Sequence, residues 1–244
     1  MIEKIGIIGD VHSEHRRLQQ ALGWLEQQAV DAVICTGDIA DGRGCIEECW
    51  RALASAHVYT VAGNHDRWLL TDQQRHVRNA HLRTRVSEQG QVFLESLPKV
   101  ICLNTAAGEL RLCHGVAEDD MAKVWPGTET TAIRRSDALD AWLAESGSPR
   151  FVINGHMHFR TLIDFEDCFL INAGTLKGER AGITLLDMRA RQVAGFNLLD
   201  DGRVCATQHY CLDERSDRRI WNNTAAFDGR WRPTSMHRLP QQIL

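Results

Sequence analysis

Polar side chains with metal-binding chemistry follow several apolar runs of this sequence, and one junction carries three of them in a row. The apolar run that ends at Val61-Ala62-Gly63 is followed at once by Asn64, His65 and Asp66. Glycine lets a chain turn at the end of a buried strand, so that polar residues emerge at the carboxyl edge of the sheet. An amide, an imidazole and a carboxylate side by side offer a metal ligand, a proton donor and a group that orients the donor. Taken alone, the four residues Gly63-Asn64-His65-Asp66 are more commonly explained as a plain turn.

The same arrangement recurs, since five apolar runs of the chain end beside a glycine and a residue able to bind a metal. Chance produces one such junction easily and five of them rarely. The candidate metal ligands collected from these junctions are Asp10, His12, Asp38, Asn64, His114, His156 and His158. Imidazole and carboxylate groups without a thiolate suit manganese, iron, cobalt, nickel or zinc. Seven ligands exceed what one tetrahedral ion takes, but they suit two ions that share a carboxylate.

The length and composition are those of a globular protein with a sizeable core: 244 residues, 43% of them hydrophobic and 25% charged. The formal net charge of −4 gives no global basic field that would attract a polynucleotide, so a nucleic-acid partner is not expected, although this sum does not exclude a local basic patch. No apolar run approaches the roughly 18 residues of a membrane span, and the first residues lack the pattern of a secretion signal. The eight cysteines contain no Cys-x-x-Cys pair. We therefore expect reduced thiols and a cytoplasmic protein.

Apolar periodicity predicts the elements that must position these residues. In the first part of the chain, two amphipathic helices separate three strands at 4–9, 32–36 and 57–62. This order favours parallel strands joined by right-handed crossovers. Further short strands are expected at 92–94, 99–103, 109–113 and 151–154, and a helix carries Leu139, Trp142 and Leu143. The last set of strands looks antiparallel and is expected near 160–165, 168–172, 181–187, 192–198 and 203–210.

Taken together, the motifs resemble those of the calcineurin-like metallophosphoesterase superfamily. The matching series is Asp10-x-His12, Gly37-Asp38, Gly63-Asn64-His65-Asp66, His114-Gly115 and Gly155-His156-x-His158. The resemblance covers roughly residues 4 to 187. It implies an α/β fold of four layers, an α-β-β-α sandwich in which two mixed β-sheets pack face to face with flanking helices. Two departures concern loop shape: Arg160 stands where many relatives have proline, and Ala173 replaces another proline.

The resemblance also implies a role for each residue. Two divalent transition-metal ions are expected, with manganese as the first choice. One ion would be held by Asp10, His12 and His158, and Asp38 would bridge it to a second ion on Asn64, His114 and His156. A metal-bridging hydroxide would attack phosphorus. As catalytic residues, His65 would contact the phosphoryl oxygen or protonate the leaving group, and Asp66 would fix the tautomer of His65.

The implied function is that of a metal-dependent phosphoesterase, with a slight preference for a small-molecule or nucleotide phosphodiester. Trp125 is a candidate for stacking on a base. A phosphomonoesterase is the alternative, because four arginines near the motifs could neutralise a second phosphate charge: Arg43, Arg67, Arg160 and Arg180. For each of these arginines, a solvated or salt-bridged position on the surface is the more expected role. Asp41, three residues after Asp38, matches a position that is acidic in some relatives, but a loop hydrogen bond is its more expected role.

A protein-binding scaffold of the same fold, like the retromer subunit that resembles these enzymes, is a less favoured function. A scaffold would not need all seven ligands together with His65. Residues 1–211 are predicted to form the metallophosphoesterase domain. Residues 212–244, which lack periodicity, are predicted to be an extension that packs on this domain or on a partner subunit in an oligomer.

Overall fold

The computed structural model describes residues 1–73, 79–124, 136–144, 149–164, 168–213 and 219–222. Its helices are α1 (His15–Gln27), α2 (Ile46–Ser55), α3 (Asn64–Leu70), α4 (Glu88–Glu95) and α5 (Asp137–Ala144), with a short 3₁₀ turn at Arg83–Arg85. Its strands are β1 (Lys4–Ile8), β2 (Ala32–Cys35), β3 (Tyr59–Thr60), β4 (Val100–Thr105), β5 (Gly108–Cys113), β6 (Phe151–Asn154), β7 (Arg160–Asp164), β8 (Phe169–Ala173), β9 (Gly182–Asp187), β10 (Gln192–Leu198), β11 (Val204–Cys211) and β12 (Arg219–Asn222).

These strands form two sheets of mixed direction. The first sheet has the order β11-β10-β9-β1-β2-β3, and the second has the order β12-β7-β8-β6-β5-β4. Parallel pairs join β1 to β2 and β2 to β3 in the first sheet, and β5 to β6 and β6 to β8 in the second. The other pairs are antiparallel. The prediction of two mixed sheets is confirmed.

Alternating side chains explain why the two sheets pack face to face. Ile5 and Ile7 of β1 point into a core shared with Phe151 and Ile153 of β6. Ile8 points to the opposite side of the first sheet, where it packs under α1, α2 and α4. On the outer face of the second sheet, α5 buries Leu139, Trp142 and Leu143. The layers are therefore helices, sheet, sheet and helix, as predicted.

Two expectations about single elements are wrong. Residues 92–94 lie in α4 rather than in a strand. The Ser87 side chain caps this helix by accepting the Gly90 N–H at 3.1 Å, and Leu94 is its buried apolar contact. The last strands pair antiparallel as expected, but they do not form one set, because those at 181–210 lie in a different sheet from β7 and β8. Residues 181–210 form β9, β10 and β11 and add to the first sheet beside β1, because β9 pairs antiparallel with β1 from Lys4–Asp187 to Ile8–Ile183.

The C-terminal residues that the structure describes lie against the second sheet. β12 pairs antiparallel with β7, with Arg219 opposite Leu162 and Ile220 opposite Thr161. Residues 214–218 and 223–244 lie outside the described residues, so the packing of the predicted extension stays a prediction. Among the described helices, none combines the length and the apolar character that crossing a membrane would require.

Candidate metal centre

The carboxyl ends of several strands from both sheets meet at one edge and bring the first group of candidate ligands together. Asp10 follows β1, His12 lies two residues later, and His158 comes from the loop before β7. The Nε2 atom of His158 lies 3.1 Å from Asp10 Oδ2, and the Nε2 atoms of His12 and His158 are 3.0 Å apart. Asp38 joins this group, and all four ligand atoms lie within 4.8 Å of one another.

A second group forms around the same Asp38 carboxylate. It contains Asp38, His114 and His156, whose ligand atoms also lie within 4.8 Å of one another. Asn64 lies beside it, with its Oδ1 atom 3.0 Å from His114 Nε2 and 2.8 Å from His156 Nδ1. Asp38 is the carboxylate that both groups share, and the structure thus brings together all seven predicted ligand residues.

Backbone carbonyls orient two of the imidazole rings. His12 Nδ1 donates to Asp41 O at 3.0 Å and to Ala40 O at 3.2 Å, and His114 Nδ1 donates to Thr36 O at 2.7 Å. A carbonyl oxygen can only accept, so the Nδ1 atom of each ring carries the hydrogen. The Nε2 atom of each ring is then able to offer a lone pair to the pocket, as in metal sites whose ligands are oriented by outer hydrogen bonds.

The buried carboxylates of the pocket require a compensating positive charge. Asp10 and Asp38 are essentially inaccessible to solvent. Burial raises the pKa of the Asp38 carboxyl, but His114 and the other nearby imidazoles outweigh burial and hold it well below its usual range. Burial lowers the pKa of His114, whereas the Asp38 and Asp10 carboxylates outweigh this and raise it to about 10. Positive charge is thus needed between the two carboxylates, and a divalent cation can supply it in place of the imidazolium.

Two further imidazoles of the pocket, those of His12 and His156, are suited to metal binding in their neutral form. Burial lowers the pKa of His12 to about 4, and burial with the nearby His114 charge lowers that of His156 to about 4. The Nε2 atom of His156 is buried and finds no hydrogen-bond partner among the described residues. Neutral imidazole nitrogens and two carboxylates form a donor set that fits divalent transition metals.

Two glycines are required because backbone passes directly against the carboxylates. A Cβ atom on Gly63 would lie 2.1 Å from Asp38 Oδ1, and a Cβ atom on Gly155 would lie 2.2 Å from Asp10 Oδ1. Both distances are far below van der Waals contact. The glycines of these two motifs therefore make room for the ligand carboxylates.

His65 lies at the edge of this pocket, but its hydrogen-bond partner differs from the expected one. Its Nδ1 atom donates to Asp41 Oδ2 at 2.7 Å, and its Nε2 atom faces Asp38 Oδ2 at 4.0 Å. Burial lowers the pKa of His65, but the Asp41 hydrogen bond and the Asp38 charge outweigh it and raise the pKa above its usual value. The expectation that Asp66 fixes the tautomer of His65 is wrong. The loop hydrogen bond expected of Asp41 is present, because its Oδ1 atom accepts the backbone N–H of His81, and the same carboxylate also accepts from His65.

Asp66 instead ties two backbone segments together. Its Oδ1 atom accepts the N–H groups of Ile39 and Ala40 at 2.8 and 3.0 Å, and its Oδ2 atom accepts that of Gly63 at 2.9 Å. Burial and the neighbouring Asp38 carboxylate raise the pKa of Asp66 to about 7, while the N–H donors act in the opposite direction. Asp66 therefore fixes the loop that carries Asp38 onto the start of α3.

Two of the four arginines considered as phosphate ligands are engaged elsewhere. Arg67 makes a bidentate salt bridge with Asp120, with N–O distances of 2.6 and 2.8 Å. Arg160 is 2% exposed and donates to Phe196 O at 2.6 Å and to Ile183 O at 3.2 Å in the first sheet. The expectation that Arg160 lies on the surface is therefore wrong, and its guanidinium is directed at backbone carbonyls rather than at a phosphate site. Trp125 lies outside the described residues.

Comparisons with known proteins agree with the fold and motifs. A family model described as the calcineurin-like phosphoesterase superfamily domain matches residues 4–190. The uncharacterized protein MJ0912 of Methanocaldococcus jannaschii is 25% identical over 199 residues, which span 73% of this chain and 78% of that protein.

Solved structures share the fold of this chain at low sequence identity. A metallophosphoesterase from Sphaerobacter thermophilus superposes with a TM-score of 0.57 at 19% identity, covering 86% of this chain and 90% of the other. Wild-type Vps29 from Entamoeba histolytica, complexed with Zn²⁺, superposes with a TM-score of 0.51 at 17% identity, covering 90% of this chain and 99% of the other. At these identities the structures establish a shared fold.

Proposed function

We propose that this chain, which belongs to the calcineurin-like phosphoesterase superfamily, uses two divalent transition-metal ions to hydrolyse P–O ester bonds with water as the nucleophile. The observation that carries the proposal is the pair of ligand groups that share the buried Asp38 carboxylate. A shared carboxylate between two sets of imidazole and carboxylate ligands is the arrangement that holds two cations close together. Manganese is our first choice of metal because the ligands are nitrogen and oxygen without thiolate.

Each ligand residue has a defined place in this proposal. Asp10, His12 and His158 would hold one cation, Asn64, His114 and His156 would hold the other, and Asp38 would be shared by both. Bound there, two divalent cations would polarise the phosphoryl group and make a water molecule more acidic. The carbonyl groups of Ala40, Asp41 and Thr36 keep the rings of His12 and His114 in the required tautomer.

His65 is proposed to protonate the leaving group. Its Nδ1–H is held by Asp41, so its Nε2 atom is the one that faces the pocket. The raised pKa of His65 favours the protonated ring, which donates its Nε2–H to the departing oxygen. In this proposal, metal binding and proton donation are therefore carried out by different residues.

A phosphodiester is the favoured substrate class. A diester carries a single negative charge, whereas a monoester brings a second one that usually needs additional cationic side chains. Arg67 is paired with Asp120 and Arg160 is buried against the first sheet, so neither guanidinium is directed to this task. We therefore favour a small-molecule or nucleotide phosphodiester over a phosphomonoester.

The proposal is tested by a hydrolysis panel after reconstitution with manganese. The panel compares p-nitrophenyl phosphate, bis-p-nitrophenyl phosphate, cyclic nucleotides, dinucleoside polyphosphates and single-stranded DNA. We expect metal-dependent turnover that is fastest on a diester, loss of tight metal binding in Asp38→Asn, and metal binding with kcat lowered by about 10² to 10⁴ in His65→Ala. A metal-loaded protein that hydrolyses none of these substrates would overturn the enzymatic proposal and favour a binding function.

A further inference from the structure

Asp41 is the point where several parts of the site meet, and each of its polar atoms has a partner. Its carbonyl oxygen accepts from His12 Nδ1, and its Oδ2 atom accepts from His65 Nδ1. Its backbone N–H donates to His81 Nδ1 at 2.9 Å, and its Oδ1 atom accepts the backbone N–H of His81 at 2.8 Å. One residue therefore connects a metal ligand, the proton donor and His81.

The backbone of Asp41 adopts a conformation that needs such support. Its φ angle is +66°, in the left-handed region that non-glycine residues rarely occupy. Asp41 is 7% exposed, so water does little to hold its carboxylate in place. The two hydrogen bonds with His81 fix both the backbone and one carboxylate oxygen, which leaves the other oxygen directed at His65.

We propose that His81 is a positioning residue for the Asp41–His65 pair and so sets the orientation of the proton donor. The inference rests on the function proposed above and extends it to a residue that lies outside the five motifs. Because the Asp41 N–H donates to Nδ1, the His81 ring carries its hydrogen on Nε2. The side chain of His81 acts as an acceptor, and any replacement must supply an acceptor at the same place to preserve the effect.

Three variants separate this role from a merely structural one. His81→Leu keeps a side chain of moderate size but removes the acceptor. His81→Asn places Oδ1 at the position of the original Nδ1 and retains an acceptor. His81→Gln has an acceptor one bond further out and should behave like His81→Leu. The backbone N–H of residue 81 is unchanged in all three.

We expect His81→Leu and His81→Gln to lower kcat by about 10-fold on the best diester of the panel, with KM and manganese affinity changed by less than about 3-fold. His81→Asn should keep at least half of the wild-type kcat. In the His65→Ala background, His81→Leu should cause no further loss, because its effect passes through His65. A wild-type kcat in His81→Leu, or an equal loss in the His65→Ala background, would overturn the proposal.

A measurement that does not depend on activity separates this inference from the proposed function. In metal-free protein, the Nδ1–H proton of His65, assigned by its disappearance in His65→Ala, should give an NMR signal in wild type and in His81→Asn. The signal should shift or vanish in His81→Leu, and an unchanged signal there would contradict the positioning role. Inactive wild-type protein with this pattern of signals would refute the phosphoesterase proposal and leave the Asp41–His81 contact established.

Discussion

The Oδ2 atom of Asp41 lies 2.7 Å from Nδ1 of His65, although Asp66 is the carboxylate that follows His65 directly in the sequence. The two aspartates thus have different partners. Asp41 accepts from the imidazole ring, while Asp66 accepts three backbone N–H groups. Substituting each aspartate by asparagine should therefore produce two distinct defects.

For Asp41→Asn we expect a catalytic defect with an intact metal site. The amide lacks the negative charge that favours the protonated ring of His65, so kcat should fall by about 10- to 100-fold. Steady-state kinetics at saturating manganese, with bound metal measured alongside, test this. An unchanged kcat would mean that His65 does not need its Asp41 partner.

For Asp66→Asn we expect a loss of stability. The Nδ2 group of asparagine cannot accept, so at least one buried backbone N–H would lose its partner. This should lower the free energy of unfolding by about 2–3 kcal/mol. Urea unfolding of metal-free protein measures the change, with Asp41→Asn as the control. An unchanged midpoint would indicate that Asp66 is already protonated in the wild type at neutral pH.

The sequence predicted the candidate ligands because each lies within three residues of a glycine at the end of an apolar run. It did not predict the contacts of Asp41 with His65 and His81, which join residues 24 and 40 positions apart. No periodicity marks His81, so only the folded chain reveals it. The position of Asp41, three residues after Asp38, was a signal in the sequence, but this spacing alone does not identify the hydrogen-bond partners of Asp41.

Two predictions made from local patterns were wrong because contacts beyond the pattern determine the structure there. Val92-Phe93-Leu94 is an apolar triplet typical of a strand, and the Ser87 cap is what favours a helix. The strands from 160 onward were grouped into one set, whereas the structure divides them between two sheets, because apolar alternation does not specify a partner strand. The cytoplasmic location, the domain boundary at residue 211 and the partners stay predictions.

Glu47 gives a prediction for the pH dependence of stability. Burial raises the pKa of Glu47, but hydrogen bonds from the Ser87 backbone and hydroxyl and from Trp50 outweigh burial and lower it below its usual value. A carboxylate with a lowered folded-state pKa stabilises the protein above its unfolded-state pKa, and this contribution is lost as pH falls through the folded-state value.

Replacing Glu47 by glutamine should therefore lower the free energy of unfolding by about 1 kcal/mol at pH 7. The difference from wild type should diminish below about pH 4.3, the usual pKa of glutamate. Urea unfolding of metal-free protein between pH 3 and 7 measures it, with Glu26→Gln at an exposed position of α1 as the matched control. A difference that stays constant over this range would show that the charge of Glu47 contributes nothing.

Arg160 connects the loop of two candidate ligands to the opposite sheet. It begins β7, two residues after His158, and its guanidinium donates to Phe196 O, Ile183 O and Asn197 Oδ1. Burial lowers the pKa of Arg160 to about 9, so the charge is costly and the three acceptors compensate for it. Arg160 thus anchors the end of the loop that carries His156 and His158.

Arg160→Met keeps most of the aliphatic stem but removes every donor, which leaves two backbone carbonyls in the first sheet without this partner. We expect the free energy of unfolding to fall by about 2–3 kcal/mol and manganese affinity to weaken, because the loop before β7 loses its anchor. Asn197→Ala removes only one acceptor and should have a smaller effect on both quantities. Isothermal titration with manganese and urea unfolding test this. If Arg160→Met lost stability yet bound manganese with wild-type affinity, the arginine would stabilise the sheets without positioning the ligand loop.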